Sequence, residues 1–131
     1  HAQLALDHAA SLAKVTGGTL IILYVASLTS AMTRISGFFG SYDAGAVAEQ
    51  VQQKGEVVLH KAKASVPVEI ETDEIFEVGS PGAVIISVAD RIGAELIVMG
   101  SRGLGTFAGV ALGSVSTYVL EHAKIPVIVV K

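Results

Sequence analysis

The stretch from Glu95 to Lys131 constrains the fold more than any other part of the chain. It reads as four pieces: ELIVMG, SRGLGTFAGVALG, SVSTYVLEHAKIP and VIVVK. The first is a short apolar run, which predicts a strand over Leu96–Met99. The second is rich in glycine and predicts a loop. The third has helical spacing and predicts a helix from about Ser114 to Ala123. The last predicts a strand over Val127–Val130. The unit is therefore strand, loop, helix, strand, and the rest of the chain reads as the scaffold that holds it in a sheet.

Upstream, His1–Val15 places Leu4, His8/Ala9, Leu12 and Val15 at a 3.6-residue period among strong helix formers, and Gly17-Gly18 stops the helix. Thr19–Val25 is a continuous apolar run, as expected of a strand covered on both faces. Ala26–Tyr42 is irregular, carries Met32, Ile35, Phe38 and Phe39, and is long for a connector. Asp43 is a candidate cap for a helix running to about Ser65, with Val47, Val51, Val58 and Ala62 as its inner stripe and Gly55 weakening it. After Pro67, alternation of Val68, Ile70 and Thr72 with Glu69, Glu71 and Asp73 predicts an edge strand over Val68–Phe76 with one wet face. Ser80-Pro81 opens a further helix with Val84, Ile85, Val88, Ala89 and Ile92 inward, and Gly93 ends it. Successive strand–helix–strand passages predict an open parallel sheet with helices on both faces, an α/β fold.

Composition narrows the function classes. A chain of 131 residues, half of them apolar and 16% charged, suits a single domain over 1–131. The net charge of −3 and the lack of any basic block disfavour nucleic-acid binding. The chain has no cysteine, which excludes disulfides and thiolate ligands and fits a cytoplasmic location. No apolar run reaches the roughly 18 residues of a membrane span, so no membrane partner is expected. The first ten residues lack the basic flank and cleavage site of a signal peptide. His8, His60 and His122 fall on three different helices without ligand spacing, so no metal site is expected. The acidic run Glu69, Glu71, Asp73, Glu74 and Glu77 reads as a solvated face.

The chemistry concentrates in the loop. In an open α/β sheet, ligands bind beyond the carboxyl ends of strands, and this loop leaves a buried strand directly. Gly100 and Gly103 let backbone approach a ligand. Gly113-Ser114 starts the next helix, where the free N–H groups of Ser114, Val115 and Ser116 and the helix dipole favour an anion. The Ser114 and Ser116 hydroxyls add donors, and Arg102 offers a forked cation at the mouth. The loop is no Walker A motif, since it has no Gly-Lys-Ser/Thr, and its glycine offsets are not those of the dinucleotide fingerprint. On these residues alone it reads either as a phosphate loop or as a turn that needs small residues with Ser114 as a plain N-cap.

Gly100, Gly103, Gly113 and Ser114 follow the pattern glycine, two residues, glycine, nine residues, glycine, then serine or threonine. With Val98-Met99 before it and Val119–Lys124 and Pro126-Val127 after it, this segment resembles the universal stress protein family. The resemblance extends weakly through Gly79–Pro81 and the first helix–strand pair. It implies a Rossmann-like three-layer sandwich of the adenine nucleotide alpha hydrolase type, with five parallel strands in the order 3-2-1-4-5. It implies ATP, with or without Mg²⁺, as ligand: Met99, Gly100 and Gly103 approach ribose and phosphates, Arg102 neutralises charge, Gly113, Ser114, Val115 and Ser116 hold the phosphates, and Val25 lies near the adenine. It implies a cytoplasmic homodimer through Val127–Val130, acting in a stress response.

Two departures from the family pattern stand out. The family's usual first strand, ending in Asp, has no match, because residue 1 already falls in the first helix; the expected reading is a processed or truncated chain, or a second chain that supplies the strand or rearranges the order. The loop centre Thr106–Gly109 lacks the basic residue common in relatives, which leaves charge neutralisation to Arg102 and the helix end. With no carboxylate or histidine in the loop, no catalytic residue is named, and the nucleotide is expected to be a regulatory ligand or very slowly hydrolysed. The alternative is a structural dimerisation module of the same fold that binds no nucleotide. A true enzyme of related fold would need an acid or base over the loop.

Overall fold

The computed structural model describes residues 2–27, 44–101 and 112–131. The first element is helix α1, Ala2–Thr16. Gly17 ends it at φ 72°, donating its N–H to the Ala13 carbonyl at 2.8 Å. Its inner face is Ala5, Leu6, Ala9, Ala10 and Ala13, and Ala10 joins Leu20, Val66 and Ile70 in a buried cluster. The expected stripe is thus displaced, with Leu4 49% and Val15 85% exposed. Alanines let a helix lie closer to the strands beneath it than leucines would.

Strand β1, Leu20–Ala26, pairs in parallel with β2, Thr72–Val78. The sequence places β2 four residues too early. Residues 67–70 instead form a turn closed by Ile70 N–H to the Pro67 carbonyl at 3.1 Å, leaving Val68 fully exposed while Ile70 is buried. The register is fixed at its ends by Leu20 N–H to the Glu71 carbonyl at 2.8 Å and Gly79 N–H to the Ala26 carbonyl at 2.9 Å. Among the described residues β2 has one strand neighbour, so it is an edge strand, as expected.

Helix α2, Ala44–Ala64, packs on β1 and β2. Its inner stripe is Val47, Val51, Gly55, Leu59 and Ala62, not Val58, which is exposed. Gly55 lies where a Cβ would run into the ring of Phe76, itself stacked on Tyr24 with ring centroids 5.8 Å apart. The glycine that weakens this helix locally is what brings it down onto the aromatic pair. Helix α3, Pro81–Ile92, has Ser80 as its N-cap by backbone angles but with no side-chain cap bond, and Gly93 closes it at φ 66°. Strand β3, Ile97–Gly100, helix α4, Ser114–His122, and strand β4, Val127–Val130, complete the order.

The chain has the α/β class expected, alternating helices with parallel strands. β1–β2 and β3–β4 are separate two-stranded parallel sheets. Bonds to β2 leave from Leu20 and Ala26, and those to the β4 side from Ile97 and Ser101. Backbone groups alternate sides along a strand, so Ile21, Leu23 and Val25 of β1, and Val98 and Gly100 of β3, face away from their partners into the space between the sheets. Helix α1 packs against both β1 and β3 and so bridges that space. No strand among the described residues lies in it. The apolar side chains of β1 and β3 are accordingly only half-buried through most of their length.

Two outcomes follow for stability and exchange. Gly55→Ala gains about 1 kcal/mol of helix propensity but overpacks the Tyr24–Phe76 pair at about 1–3 kcal/mol, so chemical denaturation is expected to show net destabilisation. Amide exchange on the isolated chain is expected to be at least tenfold faster at Ile21, Leu23 and Val25 than at Ile22 and Tyr24.

Candidate functional site

The site is built at the carboxyl end of β3. Gly100 is the last strand residue, opposite Val130, with Met99 before it opposite Val129. The next residue, Ser101, is 1% exposed and continues the ladder, its N–H donating to the Val130 carbonyl at 2.8 Å. The described residues resume at Leu112. Arg102 and Gly103, the sequence candidates for the mouth of the loop, lie outside the described residues, as does the loop centre.

Helix α4 returns to the same strand end. Its N-cap, Gly113, is extended at φ −74° and ψ 166° and donates its N–H to the Ser101 carbonyl at 2.7 Å. The Gly113 carbonyl accepts the first helical bond, from Thr117 N–H at 3.0 Å, and a second from Thr117 Oγ1 at 2.9 Å. The N–H groups of Ser114, Val115 and Ser116 precede that first bond, so they have no acceptor within the helix. Three donors without a helical acceptor at the positive end of the dipole are an arrangement that favours an anion.

Ser116 has a different part from the one its hydroxyl suggests in sequence. Its side chain is turned inward and 2% exposed, and Oγ donates to the carbonyls of Gly100 at 2.9 Å and Ser101 at 3.1 Å. Its single proton is committed there, which leaves the backbone N–H of Ser116 as its donor without a helical acceptor. The exposed Ser114 hydroxyl has no such commitment among the described residues. The corner thus brings together Gly100, Ser101, Gly113, Ser114, Val115 and Ser116. Val25 belongs to the other strand pair, opposite Glu77. Ser101 is the residue that sequence reasoning passed over. Its only signal was a small polar side chain directly after an apolar strand.

Beyond the corner, the chemistry is sparse. His122 Nδ1 meets the Tyr118 carbonyl at 2.8 Å near the carboxyl end of α4, and the two rings stack with centroids 4.0 Å apart. His60 Nδ1 lies 3.2 Å from Glu74 Oε1, and Arg91 reaches Glu77 at 2.7 Å, so part of the acidic run is paired rather than merely solvated. Among the described residues no cluster of three His, Cys, Asp or Glu could hold a metal ion, and no helix is long and apolar enough to cross a membrane.

The model of the universal stress protein family matches residues 1–131. The chain belongs to that family. Among curated relatives, the universal stress protein YxiE of Bacillus subtilis is 32% identical over 97% of this chain and 88% of its own length. The fold is likewise shared with MJ0577, a universal stress protein of Methanocaldococcus jannaschii, at TM-score 0.83 and 23% identity over 98% of this chain and 86% of that one. A universal stress protein solved in complex with cAMP is 26% identical, with TM-score 0.60, over 98% of this chain and 86% of its own.

In this universal stress protein the place of α4 is also set from behind. At Gly82 of α3 an added Cβ would stand 2.6 Å from Tyr118 Cδ1 and 3.1 Å from Tyr118 Cβ. The second of these atoms is fixed to the α4 backbone, so relief requires the helices to separate. Gly82→Ala is expected to destabilise the fold by about 1–3 kcal/mol, measured by thermal or urea unfolding.

Proposed function

We propose that this universal stress protein binds an adenine nucleotide, ATP with Mg²⁺, with its phosphates at the amino end of α4. The observation that carries the reading is the set of three N–H groups, Ser114, Val115 and Ser116, left without helical acceptors beside the end of β3. Gly113 and the Ser114 hydroxyl sit with them, and Gly100, Met99, Arg102 and Gly103 supply the approach and the cation. The similar protein solved with cAMP supports an adenine nucleotide as the ligand class. The stretch 97–116 contains no Asp, Glu or His. The nucleotide then acts as a regulatory ligand, turned over very slowly or not at all, in a cytoplasmic stress response.

The same reading includes a homodimer through β4. Val127–Val130 is apolar, β4 has β3 as its one strand neighbour among the described residues, and Ile128 is 38% exposed. A bare apolar edge of this kind recruits a second strand.

Calorimetric titration with ATP and Mg²⁺ tests the nucleotide. Saturable binding is expected, weakened at least tenfold, about 1.4 kcal/mol, in Gly113→Val. No binding by the folded protein at millimolar ATP rejects the reading in favour of a structural dimerisation module. Light scattering is expected to find a dimer that Ile128→Lys converts to a monomer.

A further inference from the structure

We infer that the Ser116 side chain is the positioning residue of the corner: it fixes the amino end of α4 against the end of β3 and, by donating to them, offsets the charge of two carbonyl oxygens that would repel the anion. The part concerning the anion rests on the nucleotide reading; the part concerning position does not. Ser116 stands two residues after Ser114 and three after Gly113, on the inner side of the first turn. Its hydroxyl bridges the carbonyls of two consecutive residues, Gly100 and Ser101, at 2.9 and 3.1 Å. The side chain is 2% exposed and Ser101 1%, so water does not replace this donor readily.

The Gly100 carbonyl shows why a donor is needed. By strand alternation it belongs to the set facing the space between the two sheets, not to the set bonded to β4. Ser116 supplies the bond that no described strand supplies. The Ser101 carbonyl is held twice, by Ser116 Oγ and by Gly113 N–H at 2.7 Å. These bonds join the last strand residues to the first helical turn at both ends of that turn.

Electrostatics gives the device its use. A strand ends on carbonyl oxygens, which carry partial negative charge, and a helix begins on N–H groups, which carry partial positive charge. An anion placed between them is attracted by one and repelled by the other. Drawing the Gly100 and Ser101 oxygens onto a buried hydroxyl leaves the donors of Ser114 and Val115 as the exposed polarity. A serine that spent its proton on the anion would leave both carbonyls without it.

The test is Ser116→Ala, read in two ways. Amide exchange of the ligand-free protein is expected to show Gly113 N–H losing at least tenfold protection, with Val119 and Leu120 within threefold of the parent. Loss spread evenly along α4, or no loss at Gly113, overturns the positioning role. ATP affinity, measured well below the unfolding transition of the variant, is expected to weaken at least tenfold. Unchanged affinity in the variant, when the parent binds, overturns the electrostatic part. If the parent binds no ATP, the nucleotide reading fails separately and the exchange result alone decides the position of α4.

Discussion

The corner stands on the bond between Gly113 N–H and the Ser101 carbonyl. That bond links the last residue of a strand ladder to the cap of a helix twelve positions further along the sequence. Ser101 is held in the ladder by its own N–H to Val130. Gly113 is held in the helix by accepting both the N–H and the hydroxyl of Thr117. The two elements are therefore joined through backbone groups that each have a second fixed partner. The turn that carries the three helix donors without a helical acceptor is held from below by Ser116 and from behind by Tyr118 against Gly82. A helix end with free donors is costly when it is buried, and it becomes useful where it opens on a ligand.

The division of the strands into two pairs bears on the same corner. Parallel strands gain stability by bonding on both sides, and among the described residues β1 and β3 each bond on one. The half-buried state of their apolar residues is the same fact seen in the side chains. Helix α1 holds the pairs together by packing across the space between them. Two of the sequence candidates, Val25 and Gly100, lie on opposite rims of that space, one on each strand. This explains why the structure groups Gly100 with α4 while Val25 remains on the other pair.

Much of the fold was legible because its signals are local. Glycine at positions 17 and 93 stops a helix through a backbone conformation that other residues resist, and both stops lie where the sequence puts them. The apolar runs at 20–26, 97–100 and 127–130 are strands because little else accommodates consecutive β-branched residues between turns. Misreadings fall where two local signals compete. Alternation across 68–73 looks like a strand, but the ladder begins at Thr72 because Leu20 fixes the register from across the sheet. On α2, Val58 and Leu59 are both apolar neighbours, and only the aromatic pair beneath Gly55 decides which faces inward.

The sequence by itself determined the α/β class, the strand-to-helix corner and the glycines and serines that form it, because periodicity, turn chemistry and spacing are properties of neighbours along the chain. Tertiary structure decided what each of those groups does. It turned the Ser116 hydroxyl onto two carbonyls, brought buried Ser101 into the corner, and set which of the described strands pair. Hydrogen bonds between residues fifteen or sixteen apart choose their partners by geometry in space, and that geometry is set by how helices and strands pack, which no local pattern encodes.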